Sequence, residues 1–352
     1  MPMQLHGRNG GQSATYMKGI SVIICCYNSE SRLVPTLKHL AGQTFNSQVA
    51  WELIVVDNNS SDHTGSVATE FAASNKHVDC KVVEEKQAGL SHARKKGFDV
   101  SRYEYILYCD DDNWLNSSYI ERAFNIMESN PNVAVLGGHG EPECEITPPH
   151  WFDDFKTYYA TGAQGKTSGD ITEVKGYVYG AGSIYRRSAL QDLFDKGFAG
   201  LLDDRKGKSL SSGGDVELCN ALALSGYRIW YDQTLLFQHF IPKERLNWQY
   251  IVKLHDGYLK NLSVLAAYRY AITRNKGFYL LWWKDIYYYS LQLLKILYRY
   301  KRFQIKKENE KFRLLMNYKG RTIFSLLVNV FAIRKNTVEI RRSQWISKNG
   351  KA

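Results

Sequence analysis

Three consecutive carboxylates end an apolar segment in the stretch YILYCDDDNWL, residues 105–115. Side chains two residues apart in an extended chain project to the same side, so Asp110 and Asp112 can converge on one point. Two carboxylates at such a point are typical ligands of a hard divalent cation such as Mg²⁺ or Mn²⁺. The residues alone leave an alternative open, which is a solvated acidic turn or a cap for the helix predicted in NSSYIERAFNIM.

The segments around this motif alternate between strand and helix patterns. Apolar runs at 20–27, 51–57 and 80–85 precede a fourth at 103–109, and helical patterns lie between them. Strands that are apolar throughout and alternate with helices predict a parallel sheet covered on both faces. Such sheets place ligand sites at the carboxyl ends of their strands. The polar clusters YNSE, DNNSSD and DDDN follow three of the four strands, so the sequence predicts a pocket at this edge.

Five segments in order resemble family 2 of the inverting glycosyltransferases over about residues 19–240: ISVIICCYNSE, LIVVDNNSSDHT, KQAGLSHARKKG, YILYCDDDNWL and GGDVEL. Each motif alone is weak, whereas five in this order are a strong signal. The resemblance implies the GT-A fold, a Rossmann-like α/β domain with a mostly parallel sheet sandwiched by helices. It also implies a nucleotide-sugar donor, usually UDP-linked, and a divalent metal, Mn²⁺ or Mg²⁺.

The resemblance also implies which residues bind the nucleotide-sugar. The segment CCYNSE would line the nucleoside pocket, Asp57 would accept the imide hydrogen of uracil, and Arg94 would lie beside the base and phosphates. A turn carboxylate at Asp57 and an exposed helical arginine at Arg94 are the alternatives. The full set expected to bind the nucleotide-sugar is Cys26, Tyr27, Asn28, Glu30, Asp57, Asn59, Arg94, Asp110 and Asp111.

The same resemblance implies the metal ligands and the catalytic base. Asp112, Asp110 and His239 are the expected metal ligands, although a lone histidine is also often structural. Asp215, in SSGGDVELCNAL, matches the position of the base that takes the acceptor hydroxyl's proton in a single displacement. Its alternative is a carboxylate favoured by a helix N-terminus. Gly214 stands where the family often has an acidic residue, and Glu217 is a reserve candidate for the base.

Charge is distributed unevenly along the chain. Of its 46 Lys and Arg and 35 Asp and Glu, residues 241–352 hold 24 and 6, a net charge of +18, and residues 1–240 carry −7. This asymmetry suggests a basic region that faces phosphate-rich matter, either lipid or nucleic acid. The Trp, Tyr, Lys and Arg of GFYLLWWKDIYYYSLQLLKILYRYKR suit the membrane–water interface, and its internal charges argue against a spanning helix. A solvated helical face is the alternative.

Together these observations predict three parts of the chain and one function. Residues 1–18 are expected to be a disordered polar leader, 19–240 a GT-A domain, and 241–352 a helical, basic, aromatic-rich region. We expect a hexosyltransferase-type enzyme of surface polysaccharide biosynthesis with a glycan or lipid-linked acceptor. It would be cytoplasmic and peripheral on the inner face of the cell membrane, docking through residues 277–352.

Two alternatives from other classes remain open at this point. One is a sugar-nucleotide-binding protein with impaired catalysis, to which Gly214 gives slight support. The other is a nucleic-acid-binding protein that uses the basic tail, but it leaves the acidic strand-end cluster unexplained. We therefore expect no nucleic-acid partner. A nucleotidyltransferase would usually show a Gly-rich phosphate loop, which CCYNSES is not.

Overall fold

The computed structural model describes residues 16–202, 213–273, 277–302 and 310–346, so residues 1–15 of the predicted leader lie outside the described residues. The strands are β1 (Met17–Cys26), β2 (Trp51–Asp57), β3 (Cys80–Glu84), β4 (Tyr103–Cys109), β5 (Asn113–Leu115), β6 (Val133–Cys144), β7 (Gly169–Asp170), β8 (Ser183–Arg186) and β9 (Arg228–Ile241). The α-helices are α1 (Glu30–Ala41), α2 (Thr64–Ser74), α3 (Leu90–Val100), α4 (Tyr119–Ser129), α5 (Phe152–Phe155), α6 (Arg187–Asp195), α7 (Gly214–Leu224), α8 (Trp248–Ile272), α9 (Phe278–Arg302), α10 (Glu310–Val328) and α11 (Val330–Arg342).

All these strands join one sheet in the order β3-β2-β1-β4-β8-β6-β9-β5, with β7 on β9. The first four strands are parallel, and Ile23 of β1 lies between Ile54 of β2 and Tyr108 of β4. Beyond β4 the sheet is mixed, because β8 runs antiparallel to both of its neighbours while β6 and β9 are parallel. The predicted α/β fold with helix-covered parallel strands is confirmed, and the mixed half extends it.

Alternation along β1 explains why helices cover both faces of the sheet. Ile20, Val22 and Ile24 belong to a buried cluster with α1, α2 and α4, while Ile23 belongs to the cluster with α3 and α6 on the other face. Successive strand residues point to opposite faces, so an apolar run without polar interruption needs cover on both sides. Each such fully buried aliphatic side chain contributes roughly 1.5–3 kcal/mol.

The helices after residue 241 pack on the sheet domain. Ala267 of α8, Trp282 of α9 and Ile333 of α11 lie in the same hydrophobic cluster as Ile23 and Ile106 of the sheet. The basic region therefore shares a core with the strands that precede it. In the described ranges, no helix combines the length and the apolar content that crossing a membrane requires. The predicted boundaries at 18/19 and 240/241 stay predictions.

Candidate active site

A cavity of about 510 Å³ opens at the carboxyl ends of β1 and β4. Parallel strands of an open α/β sheet present their ligand sites at this edge. The first residues of α7 and the end of β9 complete the walls. Its charged and histidine lining residues are Arg32, Arg94, Asp110, Asp111, Asp112, Asp215, His239 and Arg245. The tertiary structure thus brings the predicted metal ligands and the predicted base to one cavity.

The three aspartates form a tight turn between β4 and β5. Asn113 closes this turn, because its N–H donates to the carbonyl of Asp110 at 3.1 Å and its side-chain oxygen accepts from the Asp110 N–H at 3.1 Å. The carbonyl of Asp112 accepts from the N–H of Phe240 at 2.9 Å, which ties the turn to β9. Asp111 and Asp112 are 8% and 4% exposed. Asp111 and Asp112 are therefore buried at this edge of the sheet, and Asp110 beside them is half-buried.

Asp111 fastens the turn to α1. Its Oδ2 lies 2.9 Å from Nη2 of Arg32 and accepts a hydrogen bond from the hydroxyl of Ser29. Thr36 of α1 donates to the Asp111 carbonyl at 2.9 Å. Burial, and then the charge of Asp112, raise the pKa of Asp111, although Arg32 counteracts them. Its predicted contact with the nucleotide-sugar stays a prediction.

Asp112 lies between two cationic groups. Its Oδ1 is 3.4 Å from Nε2 of His239, and its Oδ2 is 3.1 Å from Nη1 of Arg245. Burial works against the ionised form, but His239 and Arg245 outweigh it and hold the pKa of Asp112 below its usual range. Burial likewise works against protonation of His239, and Asp112 outweighs that cost and raises the pKa of His239. His239 and Arg245 therefore keep Asp112 in its ionised form.

Asp110 is a carboxylate of the turn whose ionisation is disfavoured. Burial, and then the adjacent charge of Asp112, raise the pKa of Asp110 to about 6, against the lowering effect of Arg94 and His239. A cation in the cavity would favour the ionised form of such a group, as nearby opposite charges do in general. A positive charge bound beside Asp110 would therefore stabilise its carboxylate in the ionised form.

The donor set fits a divalent cation only in part. Carboxylates and an imidazole suit Mn²⁺ and Mg²⁺, and Nδ1 of His239 is buried without a hydrogen-bond partner in the described part of the chain. Yet among the described residues no three His, Cys, Asp or Glu side chains are grouped so that they could hold a metal ion. Mg²⁺-type sites usually combine one or two carboxylates with water and substrate phosphates. One or two carboxylates of the turn, such as Asp112 and Asp110, would suit a site of this smaller kind, and the metal roles predicted for Asp112, Asp110 and His239 stay predictions.

Asp215 lies at the start of α7, on the wall formed with α3. Its Oδ1 accepts a hydrogen bond of 2.7 Å from Nη1 of Arg94, whose guanidinium also lies 5.2 Å from the ring centre of Tyr108. Gly180 packs directly against the carboxylate, where a Cβ atom would overlap it. Glu217, the reserve candidate, faces away and accepts from the backbone N–H groups of Leu201 and Leu202. Of the two carboxylates, only Asp215 lines the cavity.

The residues expected around the nucleoside divide into two groups. Cys26 and Tyr27 line the cavity, as does Arg94, although Arg94 contacts the predicted base. The other group is Asn28, Glu30, Asp57 and Asn59, which lie in or beside the loops after β1 and β2, outside the cavity lining.

Contacts within and between the two loops hold three of these four residues. Asn28, at φ 50°, accepts from the N–H of Ser61 at 2.9 Å, and Glu30 accepts from the N–H of His63 at 3.1 Å. Asp57 accepts from the N–H of Ser60 at 3.1 Å and lines a separate shallow depression. The nucleoside roles of these residues stay predictions.

Among the cavity residues that the sequence reasoning missed, three polar ones make contacts that shape the site. Arg32 and Arg245 each pair with an aspartate of the turn, and Asn58 donates to the carbonyls of Glu85 and Gln87 at 3.0 and 2.8 Å. Asn58 directly follows the predicted Asp57, so its position in the strand-end polar cluster was a usable signal. Nothing in the local pattern around Arg245 marks it.

The fold and this cavity define the GT-A class of glycosyltransferases. Residues 21–194, just under half of the chain, match the sequence model of the family described as "Glycosyl transferase family 2". Its curated relatives include the putative glycosyltransferase EpsH of Bacillus subtilis, which is 24% identical over 172 residues, or 49% of this chain and 48% of EpsH. The chain spans half or less of the length of the first curated relatives that it matches.

Two solved structures show the same fold over nearly the whole chain. Staphylococcus aureus TarS 1–349, in complex with UDP-GlcNAc, is 18% identical, with a TM-score of 0.53 over 93% of this chain and 90% of that chain. The Pyrobaculum calidifontis mannosyltransferase PcManGT, in complex with GDP-Man and Mn²⁺, is 16% identical, with a TM-score of 0.52 over 92% and 90%. At these identities the likeness establishes the fold alone.

Proposed function

We propose that this chain is an inverting glycosyltransferase that moves a sugar from a UDP-sugar to a hydroxyl of a glycan or lipid-linked acceptor in surface polysaccharide biosynthesis. The observation that carries the proposal is that Asp112, His239 and Asp215 line one cavity at the carboxyl edge of the sheet. The first two supply ligands for a cation, and the third supplies a base. The ligands of TarS and PcManGT, a nucleotide-sugar in each and Mn²⁺ in the second, support the donor class and the metal.

In the proposed reaction Asp215 takes the proton of the acceptor hydroxyl. The acceptor oxygen then forms a bond to the anomeric carbon on the face opposite the diphosphate, and the carbon–oxygen bond to the diphosphate breaks with its electron pair. Arg94 holds Oδ1 of Asp215 throughout. Asp112, His239 and Asp110 would hold the divalent cation, which supplies Lewis-acid stabilisation of the departing diphosphate when bound.

A nucleotide-sugar screen tests this function. The purified chain is offered UDP- and GDP-sugars with and without Mn²⁺, and release of nucleoside diphosphate and binding are measured. Water is the acceptor in this screen, so we expect slow Mn²⁺-dependent hydrolysis of a UDP-sugar, and a loss of roughly 10²–10⁴ in rate for Asp215→Asn because a hydroxyl attacks poorly without a base. UDP binding by this variant should stay near wild type. A chain that binds no nucleotide-sugar would contradict the proposal, and binding without any turnover would favour the catalytically impaired alternative.

The same proposal includes docking on an anionic membrane surface. An exposed apolar patch, here named the aromatic corner, consists of Tyr279, Leu280 and Trp283 of α9, Phe324, Leu327 and Val328 of α10, and Phe331 of α11. The three helices meet here, because Trp282 donates to the carbonyl of Leu326 at 2.9 Å and Arg334 donates to the hydroxyl of Tyr279 at 3.1 Å.

The composition of the corner favours a lipid surface as its partner. Leu280, Trp283 and Phe331 are 64%, 58% and 78% exposed, and contiguous exposed apolar groups mark interaction sites. Residues 241–352 carry a net charge of +18. A basic residue near an anionic membrane surface contributes about 1 kcal/mol of binding free energy. Aromatic insertion combined with this charge matches a peripheral protein on the inner face of the membrane.

Vesicle sedimentation tests the docking. Wild type should bind phosphatidylcholine vesicles that contain phosphatidylglycerol and should bind pure phosphatidylcholine weakly. Trp283→Glu and Phe331→Glu should reduce binding, and Val174→Glu serves as control because Val174 is equally apolar and 86% exposed outside the corner. Undiminished binding by both corner variants would show the docking surface to be wrong.

A further inference from the structure

Each arginine in the charged lining of the cavity is paired with an aspartate. Arg32 lies 2.9 Å from Asp111, Arg94 lies 2.7 Å from Asp215, and Arg245 lies 3.1 Å from Oδ2 of Asp112. Asp112 is the residue proposed to hold the divalent cation. A guanidinium therefore stands where the positive charge of that cation would act.

The backbone of Arg245 is held by contacts that do not involve Asp112. It lies in the short 3-10 turn Lys243–Arg245 that follows β9, 133 positions after its partner. The hydroxyl of Tyr159 donates to the Arg245 carbonyl at 2.7 Å. The side chain itself is 31% exposed and projects into the cavity. An arginine placed in this way can exchange one anionic partner for another without movement of the backbone.

The charge balance of the cavity makes such an exchange favourable. Three guanidinium groups face four carboxylates in the lining, and each guanidinium is already paired with one carboxylate. A diphosphate that enters this cavity without a cation therefore meets guanidinium groups whose charge is already matched. A divalent cation at Asp112 reverses the balance, and the freed guanidinium can then bind phosphate oxygens through two parallel hydrogen bonds.

We infer that Arg245 pairs with Asp112 when no divalent cation is bound and turns to the donor's diphosphate when a cation takes its place. This inference rests on the proposed function, because it assumes a nucleotide-sugar and a cation in this cavity. It implies that Arg245 competes with the cation in the absence of donor and assists it in its presence. Cation and nucleotide therefore strengthen each other's binding by the same factor, roughly 5–150-fold as is typical of coupled sites.

Mn²⁺ binding in solution tests the exchange. The free ion is measured by electron paramagnetic resonance in titrations of the full chain, with and without UDP. For Arg245→Gln we expect Mn²⁺ affinity without UDP to rise about fivefold or more, because the competitor is gone, and the enhancement by UDP to shrink correspondingly. For Arg245→Lys, affinity without UDP should stay near wild type, while the enhancement falls because lysine lacks the two-pronged donor.

Two further variants separate the possible failures. Arg321→Gln is the matched control, since Arg321 pairs with Asp256 away from the cavity lining and should change neither affinity. Asp112→Asn should abolish Mn²⁺ binding in the presence of UDP. If it does so and Arg245→Gln behaves as wild type, the inference is overturned and the proposed function stands. A wild type without UDP-dependent Mn²⁺ binding would overturn both. Circular dichroism verifies folding, and Arg245→Lys decides the matter if Arg245→Gln does not fold.

Discussion

Arg94 of α3 donates a hydrogen bond of 2.7 Å to Asp215 of α7, across 121 positions of the chain. The guanidinium is largely screened from solvent, and burial and the opposing charge of Asp215 act on it in opposite directions, with a net rise in the pKa of Arg94. Arg94 therefore stays charged throughout any accessible pH range. Its hydrogen bond fixes Oδ1 of Asp215, the proposed base, and Oδ2 is positioned by the packing of Gly180 against the carboxylate.

Arg94→Gln should lower turnover more than donor binding. Without the guanidinium the Asp215 carboxylate loses its fixed orientation, and misplaced catalytic groups cost about 10²-fold in rate. The nucleotide-sugar KM should change by less than about fivefold if the contact with Asp215 is the main role. Steady-state kinetics give both values, and Lys95→Gln, on the same helix and paired with Asp99, is the control. A loss confined to KM would assign Arg94 to the donor instead.

Gly180→Ala should impair the proposed base while the fold is retained. A Cβ atom at this position would overlap the Asp215 carboxylate, which must then rotate away from its position. We expect turnover to fall by roughly 10–10²-fold through misorientation of the base. UDP binding and melting temperature should change little. Gly320→Ala, which meets open space, is the matched control. Full activity of Gly180→Ala would contradict the proposed position of the base.

Glu217→Gln should reduce stability rather than chemistry. Glu217 is 3% exposed and accepts from the backbone N–H groups of Leu201 and Leu202 at 2.6 and 3.1 Å. An amide has one accepting oxygen instead of two, so the free energy of unfolding should fall by about 1–3 kcal/mol, as expected when a buried donor loses its partner. Denaturant unfolding and specific activity of the folded fraction are the measurements. Asp215→Asn should show the opposite pattern, and turnover abolished by Glu217→Gln would instead identify Glu217 as the base.

His255 of α8 makes the protein sensitive to mild acid. It is 3% exposed, and its ring lies 4.6 Å from that of Tyr158 and 4.3 Å from that of Tyr318. In the described residues neither ring nitrogen has a hydrogen-bond partner. Burial, and then the charges of Lys319 and Arg321, lower the pKa of His255 to about 4, against the raising effect of Asp256.

The direction of the pH effect follows from proton binding. Between the unfolded pKa near 6.5 and the folded pKa of about 4, the unfolded chain binds a proton that the folded chain does not. Stability is therefore complete above this window and is lost as pH falls through it. We compare the free energies of unfolding of His255→Phe and wild type at neutral pH and at about pH 5. The difference between them should shift by about 1–2 kcal/mol in favour of His255→Phe at the lower pH, because only wild type loses the contribution of His255. Urea unfolding at both pH values measures this, and an unchanged difference would contradict the lowered pKa.

The parallel half of the sheet could be predicted from local pattern. The predicted apolar runs at 51–57 and 103–109 coincide with β2 and β4, because a short, mostly apolar segment of aliphatic and aromatic residues is typical of a strand buried on both faces. Strand-end polar clusters placed Asp110 and Asp112 at the pocket for the same reason. The strands β5 and β6 were missed, since β5 has three residues and β6 contains Gly137, Gly138 and Gly140, which weaken the strand pattern.

By itself, the sequence determined that a carboxylate-lined edge of an α/β sheet exists and which aspartates stand there. Only the tertiary structure decided how each aspartate is neutralised, because a partner such as Arg245 comes from 133 positions away and leaves no trace in local periodicity. The tertiary structure also shows that Asp57 lines a separate depression and that Arg94 donates a hydrogen bond to Asp215. Burial of apolar strands depends on local residue order, whereas charge pairing depends on which distant segments the folded chain brings within a few ångströms.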